Sequence, residues 1–258
     1  MIGKDIPVLR LEMREKMKRI VIVGATSGIG LEVAKLYMAK GWKVGVAGRN
    51  VSVLEWLKAS NPESVETQVL DVCREDAAQR LNGLVKKLGG MDVYLHCAGI
   101  GKQNMDLEES IEAGTVQTNV AGFVRMVMAV FHFFEKQGSG HIAVISSIAG
   151  TKGLGAAPSY SATKCFQNSY MEALEQQIRM RGLDIRVTDI RPGFVDTPLL
   201  QGGTYPALMR PEKVAKTIVR AIDRKKSVAV IDWKYRILVF FWRMIPRYLW
   251  VRMNIRTR

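Results

Sequence analysis

Ile20-Val21-Ile22-Val23-Gly24-Ala25-Thr26-Ser27-Gly28-Ile29-Gly30 is a short apolar run closed by a turn with three spaced glycines. An unbroken run of β-branched residues is apolar on both faces, which is the mark of a buried parallel strand rather than a half-exposed one. After the turn the period changes. Ile29, Val33, Leu36 and Tyr37 fall on one helical face, and the pattern stops at Gly41, a helix C-terminal signal.

The same alternation continues outward. Further buried strands are expected at 44–47, 65–72, 93–95, 142–145, 185–190 and 228–231. Helices are expected around Leu54 and Leu57 up to Asn61-Pro62, and over 77–88, 116–134, 158–181 and 214–222, the last with Pro211 near its start. Strands alternating with helices predict an α/β fold: a doubly wound, mostly parallel sheet with helices on both faces, the Rossmann fold. A chain of 258 residues, 48% hydrophobic, has room for one such domain with a sizeable core. The reading divides it into an N-terminal extension at 1–16, a dinucleotide-binding and catalytic domain at 17–231, and a C-terminal aromatic and basic helical tail at 232–258. Met17 reads as an alternative start.

The glycines of the first turn would let the backbone approach a pyrophosphate seated on the helix N-terminus. In this position the motif points to dinucleotide binding, through Gly24, Gly28, Ile29 and Gly30, with Thr26 and Ser27 adding hydroxyls. The second strand ends Ala47-Gly48-Arg49-Asn50, with no Asp or Glu from 43 to 50. An acid there would hold a ribose 2′-hydroxyl; Arg49 suits a 2′-phosphate instead, so NADP(H) is favoured over NAD(H).

Tyr160 and Lys164 lie four residues apart, on one helix face. A nearby ammonium favours a phenolate, so Tyr160 is expected to serve as an acid–base with a lowered pKa. Ser147 stands 13 residues earlier, at the C-terminal end of a strand, where doubly wound sheets bind ligands. Asn119 is a polar group on an otherwise apolar helix and needs a partner.

Taken together these residues resemble the short-chain dehydrogenase/reductase family, in its compact single-domain branch. The features that carry the resemblance are the 24–30 turn, Asp71, Ala98-Gly99, Asn119, Ser146-Ser147, Tyr160 with Lys164, and Arg191-Pro192-Gly193-Phe194-Val195-Asp196-Thr197, spread over residues 17–231. The resemblance implies that Tyr160 is the general acid/base and Ser147 the substrate-oxygen holder. Lys164 would bind the nicotinamide ribose, and Asn119 would hold a water of the proton relay. Asp71 and Val72 would meet the adenine side, Ala98 and Gly99 would line the cleft, and Pro192, Gly193, Val195 and Thr197 would cradle the nicotinamide. The family often has two asparagines before Ala98; here His96-Cys97 stand there and read as core. Cys73 and Cys165 read the same way, His132 and His141 show no partner pattern, and no metal site is expected.

The charge is lopsided: 38 Lys+Arg against 24 Asp+Glu, a formal +14. Residues 1–19 carry six Lys/Arg and three Asp/Glu, and residues 227–258 carry seven Lys/Arg and only Asp232. The charge therefore sits largely in the flanks. With no nucleic-acid-binding motif it does not indicate nucleic acid as a partner. No run is long enough to span a bilayer, and the N-terminus does not read as a secretory signal. In the tail, Arg236, Arg243 and Arg247 fall in one narrow helical stripe beside a wide apolar face, and Pro246 should split the helix in two. Such a segment suits a helix lying on an anionic membrane, a cover over the substrate cleft, or a subunit contact.

The leading expectation is an NADP(H)-dependent oxidoreductase interconverting a ketone and a secondary alcohol. Its substrate would be hydrophobic and lipid-like, in keeping with a loose similarity to 3-ketosphinganine reductases. The enzyme would be a cytoplasmic homodimer or homotetramer, peripheral on the inner face of a membrane. The alternatives are a soluble reductase of a small polar ketone or sugar, and a non-catalytic dinucleotide sensor. Residues 201–209 read as a mobile substrate loop.

Overall fold

The computed structural model describes residues 18–200 and 205–255. The 1–16 extension and the first part of the expected substrate loop lie outside the described residues.

Seven strands form one sheet: β1 (Arg19–Val23), β2 (Lys43–Gly48), β3 (Val65–Val69), β4 (Val93–His96), β5 (Ser139–Ile145), β6 (Asp184–Arg191) and β7 (Val228–Val230). Their order is β3-β2-β1-β4-β5-β6-β7. Every pairing is parallel, so the sheet is more uniform than the mostly parallel one expected. The chain reverses its winding between β1 and β4, and the crevice beyond their C-terminal ends is the place for a ligand.

Side-chain alternation explains why the first strand is apolar throughout. Ile20 and Ile22 enter one core layer, against α1 (Gly28–Ala39), α2 (Val51–Ser60) and α7 (Pro211–Asp223). Val21 and Val23 enter the other, against α3 (Ala77–Leu88), α5 (Phe123–Gln137) and α6 (Pro158–Met180). Val33 and Tyr37 of α1, read from the helical period, are buried in the first layer.

Two stretches differ from expectation. The strand expected to Val72 ends at Val69, because Asp71 turns the chain: its Oδ1 accepts from Cys73 N at 2.9 Å. The single helix expected over 116–134 is two, α4 (Glu109–Val116) and α5, joined by a π-helical turn, Gln117–Gly122, that carries Asn119. Widened turns of this kind recur at functional sites.

The tail forms α8 (Trp233–Met244) and α9 (Arg247–Trp250), broken at Pro246 as expected. It packs on the body. Tyr235 and Val239 are buried with Ile148, against Phe194, Met209 and Leu238. Trp250 Nε1 donates to Gly153 O at 2.7 Å, and Lys152 Nζ donates to Ile245 O at 2.8 Å. The other face of the tail stays open: Ile237, Phe240, Phe241, Met244 and Tyr248 are exposed. Among the described residues, no helix is long and apolar enough to cross a membrane.

Candidate functional site

The glycine turn after β1 is built for close approach. Gly24 has φ +87, and a Cβ there would stand 2.6 Å from Ala98 N, so the turn packs directly on the segment leaving β4. Gly24 N and Ala25 N both donate to Ala47 O, at 2.9 and 3.1 Å, which ties the turn to β2. Ser27 caps α1 without a side-chain hydrogen bond, and the first helical bond is Leu31 N to Ser27 O. The first-turn amides therefore point outward as an anion site. Thr197 comes within 3.0 Å of a Cβ built at Gly28 and Thr26 within 2.7 Å of one built at Gly48, so both hydroxyl-bearing residues border the turn. Arg49 is exposed at the end of β2 and forms no ion pair among the described residues. Asp71 and Val72 follow β3, and Val72 O accepts from Arg125 Nη1 at 2.7 Å.

The catalytic candidates converge on α6. Pro158 opens this helix, and Glu112 of α4 accepts from Ser159 N at 3.0 Å, placing a carboxylate at the helix N-terminus. Ser147 follows β5 and is held by two contacts: Ala149 N donates to its Oγ at 3.0 Å, and Oγ donates to Pro192 O at 3.4 Å. The Ser147 hydroxyl also lies near enough to the Tyr160 phenol to favour its ionised form. Lys164 Nζ lies 5.9 Å from the centre of the Tyr160 ring and is buried. It donates to Ile145 O at 3.0 Å and to Gln167 Oε1 at 2.8 Å.

The electrostatics correct one expectation. Burial, opposed by the Ser147 hydroxyl, holds the Tyr160 phenol above its ordinary pKa. The Lys164 ammonium, 5.9 Å from the ring centre, does not reverse this. Lys164 itself is brought down to about 8 by burial, partly offset by Asp189 and Cys97. At neutral pH the phenol therefore carries its proton and is poised as a donor.

Asn119 finds its partners within the protein. Its Oδ1 accepts from Ile100 N at 2.9 Å, and its Nδ2 donates to Ile100 O at 2.7 Å and to Thr163 Oγ1 at 3.1 Å. Its backbone carbonyl accepts from Gln167 Nε2 at 2.9 Å. Pro192 and Gly193 lie beside Ser147 at the end of β6, and Val195 is buried beyond them.

His96 is fully buried, with Nδ1 at 2.8 Å from Tyr94 OH and its ring edge-on to Phe123. Burial, with Lys164 nearby, lowers it to about 3, so it is a neutral core residue, as read. Burial pushes the Cys97 thiol up to about 12. The other two histidines do have partners: His141 Nε2 meets Thr188 Oγ1 at 2.8 Å, and His132 Nδ1 meets Glu135 at 3.3 Å.

The arrangement has relatives. Residues 18–204 match the family model described as short chain dehydrogenase. The chain belongs to the short-chain dehydrogenase family. An uncharacterized oxidoreductase of Myxococcus xanthus is 30% identical over 246 residues, covering 92% of this chain and 96% of the relative. Among solved structures of this fold, ElxO with NADP bound superposes with TM-score 0.75 at 23% identity, covering 86% of this chain and 99% of that one. An actinorhodin polyketide ketoreductase with NADPH gives 0.72 at 24%, covering 83% and 95%.

Within this short-chain dehydrogenase site, several participants gave no sequence signal. Gln167 is one polar residue among many on a long helix. Gly101 lies so close under the Tyr160 ring that a Cβ would meet Cε2 at 2.6 Å. Tyr235 comes from the tail: its ring lies against Gly193, it accepts from Phe194 N at 3.2 Å, and it donates toward Pro206 O and Ala207 O at 2.9 and 3.1 Å.

Proposed function

We propose that this oxidoreductase is an NADP(H)-dependent reductase of a hydrophobic ketone, with Tyr160 as general acid. The observation that carries the reading is the meeting of Ser147, Tyr160 and Lys164 at the C-terminal end of β5, beside the glycine turn. The open first turn of α1 fits a pyrophosphate, and Arg49, which forms no ion pair among the described residues, fits a 2′-phosphate together with Thr26. NADP and NADPH in the two structural relatives support the same cofactor. When bound, the cofactor supplies the hydride. Ser147 holds the carbonyl oxygen, Tyr160 gives that oxygen its proton, and Lys164 holds the nicotinamide ribose. Asp71 and Val72 border the adenine, and Ala98, Gly99, Pro192, Gly193, Val195 and Thr197 enclose the nicotinamide side.

A lipid-like substrate is supported by the apolar cluster that adjoins Ser147, built from Ile148, Phe194, Met209, Leu238 and Val239. An anionic membrane as its source is supported by the open apolar face of α8, flanked by Arg236, Arg243 and Arg247. Each such arginine contributes on the order of 1 kcal/mol near an anionic surface.

The test is NADPH consumption across ketones from long-chain 3-keto lipids to small sugars, beside co-sedimentation with anionic and neutral vesicles at low and high salt. Turnover of the long-chain compounds and salt-sensitive sedimentation with anionic vesicles are expected. Turnover confined to sugars would overturn the lipid reading, and no sedimentation with either vesicle type would overturn the membrane reading.

A further inference from the structure

Gln167 is fully buried, one turn beyond Lys164 on α6, and both ends of its amide are committed. Oε1 accepts from Lys164 Nζ at 2.8 Å, and Nε2 donates to the carbonyl of Asn119 at 2.9 Å. The amide thus spans from the cation under Tyr160 to the π-helical turn across the cleft floor. It is oriented unambiguously, because an ammonium can only donate and a carbonyl can only accept.

We propose that Gln167 is a positioning residue for Lys164: it fixes the ammonium between the Ile145 carbonyl and the π-helical turn, so that the remaining N–H is aimed at the cofactor ribose. The inference rests on the cofactor reading above. The arithmetic of donors supports it. An ammonium has three N–H groups, and two are taken by Ile145 O and Gln167 Oε1. The third has no acceptor among the described residues. With two anchors at fixed points, the direction of the third is set by the tetrahedral nitrogen. A four-carbon stem alone would not hold it, because lysine rotamers are numerous.

The anchor also acts on the charge. A hydrogen bond to the charged form favours that form, and Gln167 supplies one where burial disfavours it. The other groups facing Lys164 are Asp189 from β6, Cys97 and His96 from the end of β4, and Tyr160 on its own helix. Asp189 is itself engaged by Arg191 at 2.7 Å and by Ser146, so it does not replace the lost acceptor when Gln167 is removed.

The experiment needs no substrate. NADPH affinity, read by its fluorescence, is followed against pH in the wild type, Gln167→Met and Gln167→Asn, with Lys164→Met as the blank for every other titrating group. Methionine keeps the volume and removes both hydrogen bonds; asparagine keeps a buried amide one methylene too short to span the two partners. In the wild type the Lys164-dependent affinity should fall as pH rises through about 8. In both Gln167 variants the midpoint should fall by about one pH unit, a tenfold change in proton affinity. A residue that merely braced the helices would lower the melting temperature and leave the midpoint in place. An unshifted midpoint in either folded variant overturns the proposal, as does a wild type whose affinity shows no Lys164-dependent step. Absence of NADPH binding at any pH would instead overturn the cofactor reading on which it rests.

Discussion

The ring of Tyr235 lies against Gly193, so close that no side chain could stand at that glycine. One residue belongs to the end of β6 and the other to the tail, yet the contact fixes the turn that follows Pro192. The same tyrosine reaches Phe194, Pro206 and Ala207, so a single hydroxyl ties the turn to the segment before Met209.

Gly193→Ala should therefore overpack the contact and destabilise the protein by about 1–3 kcal/mol. Tyr235→Phe keeps the ring and strands the partners of the hydroxyl, at a cost of about 1–3 kcal/mol. Urea unfolding measures both. A glycine variant as stable as the wild type would show that the ring can move aside.

Removing residues 233–258 should expose Ile148 and Phe194 and loosen the Gly193 turn. The truncated protein is expected to melt lower and to bind NADPH more weakly, although the glycine turn after β1 remains. Calorimetry and NADPH fluorescence test this. Unchanged melting would mean that the tail contributes nothing to the body.

Tyr160→Phe should reduce turnover by about two to four orders of magnitude and leave NADPH affinity almost unchanged, since only the transferable proton is lost. Rates on any ketone found active would decide it, and near-normal turnover would remove Tyr160 from its role.

Arg49→Ala should weaken NADPH binding by about 10- to 100-fold, the worth of a charge-assisted hydrogen bond, and leave NADH binding unaffected. A wild type that binds NADH more tightly than NADPH would contradict the assignment.

Acid should destabilise the fold through two histidines. Burial lowers His96 to about 3 and His141 to about 4, each from 6.5. Both are neutral when folded, and the unfolded chain takes up their protons first. Their contribution is full above pH 6.5 and is lost as pH falls toward those folded values. At pH 5 each costs about 2 kcal/mol relative to neutral pH. His141→Gln, which can still reach Thr188, should remove about half of the drop measured by urea unfolding at pH 7 and pH 5; a drop of the same size in that variant would assign it to other groups.

The first strand, its turn and α1 were legible because the hydrophobic period changes from continuous to helical at a glycine motif. Tyr160 and Lys164 were legible because a spacing of four is one helical turn. α4 was hidden: its residues Glu109 and Ala113 are exposed, Val116 is 46% exposed, and no apolar stripe marks it. The direction of the Tyr160 shift is not legible, because spacing shows which charge is near and does not show how far the phenol is withdrawn from water. Gln167 and Tyr235 matter through partners 48 and 41 residues away, and neither pairing leaves a trace in the local sequence around Gln167 or Tyr235.

The Gly193 turn has a further consequence for the order of assembly. Everything through β7 can pair and pack before α8 arrives, since the parallel sheet is complete at Val230. The turn beside Ser147, held within the body through the Pro192 carbonyl by Ser147 and Ile148, gains its contact with Tyr235 only when α8 packs. A growing chain thus acquires its sheet before α8 packs, and a product cut short after Ile231 holds the scaffold without the Tyr235 contact on Gly193.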